Sequence, residues 1–318
     1  MFGYIIHRLF VMIPTLLVIS ALVFIIIQLP PGDYLTTMIN ELQAQGEDAQ
    51  DQIEFLRQQY GLDQPMVVQY FKWIIGILQG DFGSSIFSGK PVTELIGQRV
   101  EPTLALATTT IVVSVIVAVP LGIVAAWRAG SWVDRLVMGF AVFGFSVPVF
   151  VFAYLLIMVF AAELKLVPVM GYVSPLKDIG GFARSIALPT VALGVTYIAL
   201  ISRITRASML DAINQDYIRT AHAKGLGILP ILFRHALRNA SVPIVTTVGV
   251  GIALLIGGVV VTESVFAIPG LGRLTADAIL RRDYPVVQGI ILIFSAIYVL
   301  INLMIDIAYI IVDPRILY

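Results

Sequence analysis

Long apolar stretches separated by shorter polar ones dominate the chain. Six of them approach or exceed the about 20 helical residues needed to cross a ~30 Å hydrocarbon layer. The first runs from roughly Leu9 to Leu29, the second from Thr103 to Trp127, and the third from Leu136 to Ala162. The fourth, Ile186 to Ile201, is short and holds Pro189 and Gly194; the fifth spans Val242 to Thr262 and the sixth Val286 to Val312. The predicted fold is an all-α integral membrane protein of six transmembrane helices. The first stretch reads as a retained helix rather than a signal peptide. It is longer than an ordinary signal h-region, and Pro30-Pro31-Gly32-Asp33 follows it instead of a small-residue cleavage site.

Composition agrees with a membrane protein. Of 318 residues, 58% are hydrophobic and 13% charged, against about 25% charged in a soluble domain. Zero net charge argues against nucleic acid as a partner. The chain has no cysteine, and His7, His222 and His235 lie far apart, so no metal site is expected.

Basic residues set the orientation. With the N-terminus inside, the inner segments 1–8, 128–135, 203–240 and 313–318 hold as many Lys and Arg as outer segments of about twice their length. Both termini and the 203–240 loop are therefore predicted to be cytoplasmic. The organisation is an N-terminal helix (1–29), an extracytoplasmic cap (30–102), a membrane core (103–312) containing the 203–240 loop, and a cytoplasmic tail (313–318). The cap is acidic. Its stretch "QIEFLRQQYGLDQPMVVQYFKWIIGIL" has helix-like apolar spacing broken between Gly61 and Pro65, which predicts two short helices.

Catalytic chemistry is not evident. The segment Gly83 to Pro91 resembles a phosphate loop only loosely: its glycines are one residue too far apart, and Pro91 stands where a Mg²⁺-binding Ser or Thr is needed. No zinc-protease or nucleophile-elbow motif occurs. Asp306, with Asn302 one turn earlier, is the main ionisable group within a span. It lies about 9 Å from the cytoplasmic end, which suits pairing with basic groups there better than a proton relay. Small and kinking residues interrupt the third and fifth stretches: Ser146 and Pro148 after Gly144, and Gly249, Gly251, Gly257 and Gly258. They suit either close helix packing or a lined pathway.

One polar stretch is unusual. "DYIRTAHAKGLG", Asp216 to Gly227, has a helix start at Asp216 and a stop at Gly225. About eight helical residues are too few to be stable alone. The bulky apolar surface is limited to Tyr217 and Ile218, which disfavours a helix lying on lipid. A helix docking into a groove of a cytoplasmic partner fits better.

These residues resemble the EAA loop of ABC importer permeases, in which Glu-Ala-Ala-x3-Gly precedes Ile-x-Leu-Pro. Ala221, Gly225 and Leu237 match. Arg219, Thr220, His235 and Arg238 depart from that pattern as in the dipeptide/oligopeptide/nickel branch. "PPGD", "GDFGSS", "SVPVF", "LPTVALG", "TESVFAIPGLG", "RRDYPVVQG" and "DPRI" extend the resemblance along nearly the whole chain.

The resemblance implies a pore-forming permease of an ATP-driven importer for short peptides or related small solutes, in the bacterial inner membrane. It implies four kinds of neighbour: a second, similar permease subunit (commonly a different chain), two cytoplasmic ATPases, an extracytoplasmic binding protein and membrane lipid. ATP and Mg²⁺ would sit on the ATPases, leaving this chain no cofactor and no catalytic residue. By carry-over, Tyr217, Arg219, Thr220, Ala221, Lys224 and Gly225 would contact the ATPase. Glu263, Arg273 and Asp277 are candidate outer-loop charges toward the binding protein, and Ser146, Pro148, Gly249, Gly257 and Gly258 would line the pathway. The alternatives are an ATP-independent secondary transporter or channel and, less in keeping with the missing catalytic groups, a membrane-embedded enzyme.

Overall fold

A computed structural model describes the backbone of residues 2–28 and 64–312, with side chains over 10–25 and 64–308. The first predicted cap helix, residues 30–63 of the acidic cap and the 313–318 tail lie outside the described residues. The chain divides into two compact units. One comprises Phe2–Arg99 and Leu274–Val299, the other Val100–Arg273 and Leu300–Tyr318.

In the first unit, α1 (Phe2–Gln28) is the predicted N-terminal helix and α2 (Met66–Leu78) the second predicted cap helix. Pro65 supplies the extended backbone before α2. The two helices meet where Ser20 Oγ lies 2.8 Å from the Tyr70 hydroxyl and the Phe24 ring stands edge-on to Tyr70 at 5.5 Å. A tight turn closed by the Ser84–Pro91 bridge leads into α3 (Val92–Gly97). Asp283 holds this turn: the Ser85 hydroxyl donates to its carboxylate at 2.6 Å and the Ile86 N–H at 3.2 Å. The segment that loosely resembled a phosphate loop thus turns a hydroxyl onto a carboxylate.

The second unit contains α4 (Val100–Trp127), α5 (Trp132–Ser146), α6 (Val149–Leu156, continued by a π-helical turn Ile157–Glu163), α7 (Ile179–Ile213), α8 (Asp216–Ala223) and α9 (Leu237–Val265). A second π-helical turn, Ile231–Ala236, leads into α9. The chain continues through α10 (Leu271–Arg281) and α11 (Tyr284–Val312). Among the described residues, four helical stretches are long and apolar enough to cross a membrane: Val92–Trp127, Ile179–Ile213, Ile228–Val265 and Tyr284–Ala308.

Two expectations change here. The third stretch is not one straight span: α5 and α6 meet at 103°. The cause is visible in Ser146-Val-Pro148. Val147 is extended (φ −90°, ψ 122°), as a residue before proline tends to be. The fourth stretch, short by hydropathy, belongs to a long helix: α7 has 35 residues, roughly 52 Å at 1.5 Å each. Apolarity ends near Arg203, but no helix breaker stands there, so the helix runs on.

α7 is the centre of its unit and packs against α4, α5, α6 and α9. Small residues permit the close approach. A Cβ on Gly122 would lie 2.7 Å from the Ser202 carbonyl oxygen, and one on Gly144 3.0 Å from the Ala199 Cβ. Two buried apolar clusters result. One gathers Leu106, Leu193, Tyr197, Ile201, Leu255 and Phe266. The other gathers Ile123, Met209, Ala212, Ile218, Ala221 and Ile231.

Candidate functional site

The helix α8 follows α7 after only Asn214 and Gln215. Its start differs from expectation. Gln215 is the N-cap, with no side-chain cap bond, and Asp216 is the first helical residue. The Asp216 carboxylate meets Arg219 Nη1 at 3.3 Å, an exposed pair that contributes little stability. The end is as expected. Gly225 has φ +77°, its N–H donates to the His222 carbonyl at 2.9 Å, and the Leu226 N–H donates to the Ala221 carbonyl at 3.2 Å. This is the paired closure of a Schellman motif, which needs a left-handed residue at that position.

What holds so short a helix is its own chain. Ile218 is 2% and Ala221 5% exposed. Both lie in the cluster formed with Met209 and Ala212 of α7, Ile123 and Ala126 of α4, and Ile231, Leu232 and Ala236. This corrects the grouping of Ala221 with the contact residues: it faces inward, because it sits one turn from Ile218 on the anchored side. Tyr217, Arg219, Thr220, Lys224 and Gly225 are exposed. Tyr217 also borders an open groove with Ser208, Asp211, Gln215, Asn239 and Pro243. The structure therefore brings together an anchored inner face and a polar outer face on one eight-residue helix.

Of the pathway candidates, Ser146 and Pro148 are exposed at the α5–α6 bend, the Ser146 hydroxyl donating to the Val142 carbonyl at 2.8 Å. Gly257 is exposed too, with open space where a Cβ would stand. Gly249 and Gly258 sit at packing contacts: a Cβ on Gly249 would overlap Ile305, and one on Gly258 would come 2.7 Å from Leu193 Cδ1. Asn302 and Asp306 lie one turn apart on α11, both partly buried.

The three outer charges separate. Asp277 is exposed and Arg273 partly so, but Glu263 is fully buried. The expectation of an exposed loop charge at Glu263 is corrected, since α9 runs on to Val265 and carries it inside. Its Oε1 accepts the Thr103 hydroxyl at 2.6 Å and its Oε2 the Arg273 N–H at 2.9 Å. Thr103 Oγ1 in turn accepts the Leu271 N–H at 2.7 Å. Glu263 and Thr103 thus satisfy two first-turn N–H groups of α10, those of Leu271 and Arg273, a capping role supplied from other helices. Gly270 is required there, because a Cβ on it would overlap the carboxylate.

Sequence reading missed one further pair. Arg206 of α7 grips the Asp134 carboxylate of α5 with two parallel bonds, Nε to Oδ1 and Nη2 to Oδ2, the latter at 2.7 Å. Nothing local in the sequence links Asp134 to a residue 72 positions on. Among the described residues, no group of three or more His, Asp or Glu side chains has metal-binding geometry.

Comparison with known proteins gives consistent relatives. Residues 118–318 match the family described as binding-protein-dependent transport system inner membrane component, and residues 1–107 match the N-terminal region of such membrane components. The chain is 45% identical over 316 residues to the probable peptide ABC transporter permease protein y4tP of Sinorhizobium fredii, covering 99% of both chains. It is 43% identical over 319 residues to the glutathione transport system permease protein GsiC of Escherichia coli K12, covering 100% of both. Among solved structures, a chain of the inward-facing MetNI methionine ABC transporter aligns with TM-score 0.58 and 18% identity, over 70% of this chain and 97% of that one. At that identity the likeness speaks for fold alone.

Proposed function

Because this chain belongs to the binding-protein-dependent transport system inner membrane components, we propose that α8 is the coupling helix through which a separate ATPase drives it. The chain is a pore-forming permease of an ABC importer, a transport component and not an enzyme. The observation that carries the coupling reading is the division of α8 into two faces. Ile218 and Ala221 fasten it to its own chain, while Tyr217, Arg219, Thr220, Lys224 and the Gly225 turn stay exposed. A helix anchored on one side moves its parent chain when pushed on the other.

In this reading six helices span the bacterial inner membrane, α5 and α6 together counting as one. Both termini are cytoplasmic. The pore is completed by a second, similar permease, two ATPases carry ATP and Mg²⁺, and an extracytoplasmic binding protein delivers substrate. Closure of the ATPase pair shifts α8 and opens the pore outward. The segments 30–102 and 263–285 face the binding protein, with Arg273 and Asp277 as its contacts. Ser146, Pro148 and Gly257 are the better pathway candidates, since Gly249 and Gly258 meet packing partners. The substrate class is short peptides or related small solutes, supported by the peptide and glutathione permeases it resembles.

The test is reconstitution with and without the partner ATPases. Uptake of peptide is expected only with ATPase and ATP present. Uptake by the chain alone, without ATP, overturns the reading.

A further inference from the structure

We propose that Asp134 and Arg206 are positioning residues that form a strut, carrying displacement of α8 to the α5–α6 bend. The inference rests on the coupling reading above and names the internal route. Five observations carry it.

Asp134 is fixed at its own end: its carboxylate accepts the Gly130 N–H at 2.9 Å, and its N–H donates to the Ser131 hydroxyl at 3.5 Å. The Arg206 fork is planar and holds the carboxylate in two places, so the pair resists rotation as well as separation. The acid's side chain is 6% exposed and the base's 26%, so water competes little for the carboxylate.

Arg206 is also tied to α8. Met209 follows it by three residues along α7, on the same face, and Met209 lies with Ala212 in the cluster that buries Ile218 and Ala221. Finally, α5 is pinned to α7 a second time at its far end. The Thr196 hydroxyl donates to the Gly144 carbonyl at 3.3 Å, and Gly144 packs against Val195 and Ala199. Two attachments on antiparallel helices prevent sliding. Two residues beyond Gly144 stands Ser146, and then the bend.

The absence of cysteine provides a direct test. Ser146→Cys is introduced into the complete transporter, with its partner permease, ATPases and binding protein, and its maleimide labelling rate is compared with and without ATP. With the native pair, ATP is expected to change the rate at least about fivefold. In Asp134→Asn and in Arg206→Lys, hydrolysis of ATP is expected to persist while the labelling response falls toward none. The exchange Asp134→Arg with Arg206→Asp is expected to restore most of it. Retention of the response in both single variants overturns the strut and leaves the coupling reading intact. Disassembly of both single variants, without rescue by the exchange, overturns it in favour of a merely structural pair. No response to ATP with the native pair sinks the coupling reading itself.

Discussion

The carboxylate of Glu263 accepts the Thr103 hydroxyl at 2.6 Å, and neither side chain leaves the interior: Glu263 is 0% and Thr103 6% exposed. The contact joins the end of α9 to the first turn of α4, and through the Leu271 and Arg273 N–H groups it also fixes the start of α10. A buried carboxylate is sustained only where donors surround it. Glu263→Ala is expected to cost about 1–3 kcal/mol for each donor it strands, seen as a lowered melting temperature in detergent. Glu263→Gln should cost less, since one oxygen remains to accept. Equal melting of native and alanine forms would contradict the capping role.

Neighbouring residues on α8 should separate stability from coupling. Ile218→Ala empties a buried site and is expected to destabilise by about 2–5 kcal/mol. Tyr217→Ala, at an exposed position, should change stability by no more than about 0.5 kcal/mol while weakening capture of the ATPase. Thermal melting beside co-purification reads both. Loss of ATPase capture in neither variant would remove α8 from the interface.

Gly225 tests the closure of the same helix. At φ +77° an L-residue is strained by about 1–2 kcal/mol, yet a Cβ there would meet nothing within 4 Å. Gly225→Asp should therefore insert and fold with a modest loss, Asp being among the residues that tolerate this conformation. Transport is expected to be abolished, because a charge and a side chain now stand on the docking side. Normal uptake in a correctly inserted Gly225→Asp chain would refute the docking role.

Two helical glycines should respond with opposite sign. Gly122 packs on α7, and Gly122→Ala is expected to cost about 1–3 kcal/mol by overpacking. Gly139, in α5, has open space around it, so Gly139→Ala should gain about 0.5–1 kcal/mol from helix propensity. Melting of the two purified variants checks the difference.

Much of the architecture was legible because it rests on local patterns. Apolar length marked the four long helices that can cross a membrane, Pro148 marked the bend, and Gly225 marked the end of α8. What escaped depends on distant residues or on the limits of hydropathy. α7 continues past Arg203 because a helix needs no apolar surface to persist once its inner face is packed. Leu271, Leu274 and Ala278 carry helical spacing and are all buried, but the preceding Pro269-Gly270 reads as loop, so α10 was not anticipated. Glu263 reads as a solvated charge until Thr103 is placed beside it. Ala221 matched a family motif, and a motif match does not say which way a side chain points.

The short link between α7 and α8 has a consequence for chain length. With only Asn214 and Gln215 between them, inserting one residue late in α7 would rotate everything downstream by about 100° and advance it by about 1.5 Å. Ile218 would swing away from its cavity and the charged side would turn into the protein. Substitutions can be absorbed along this rod, but its residue count cannot change, so the phase of the helix is itself a functional property.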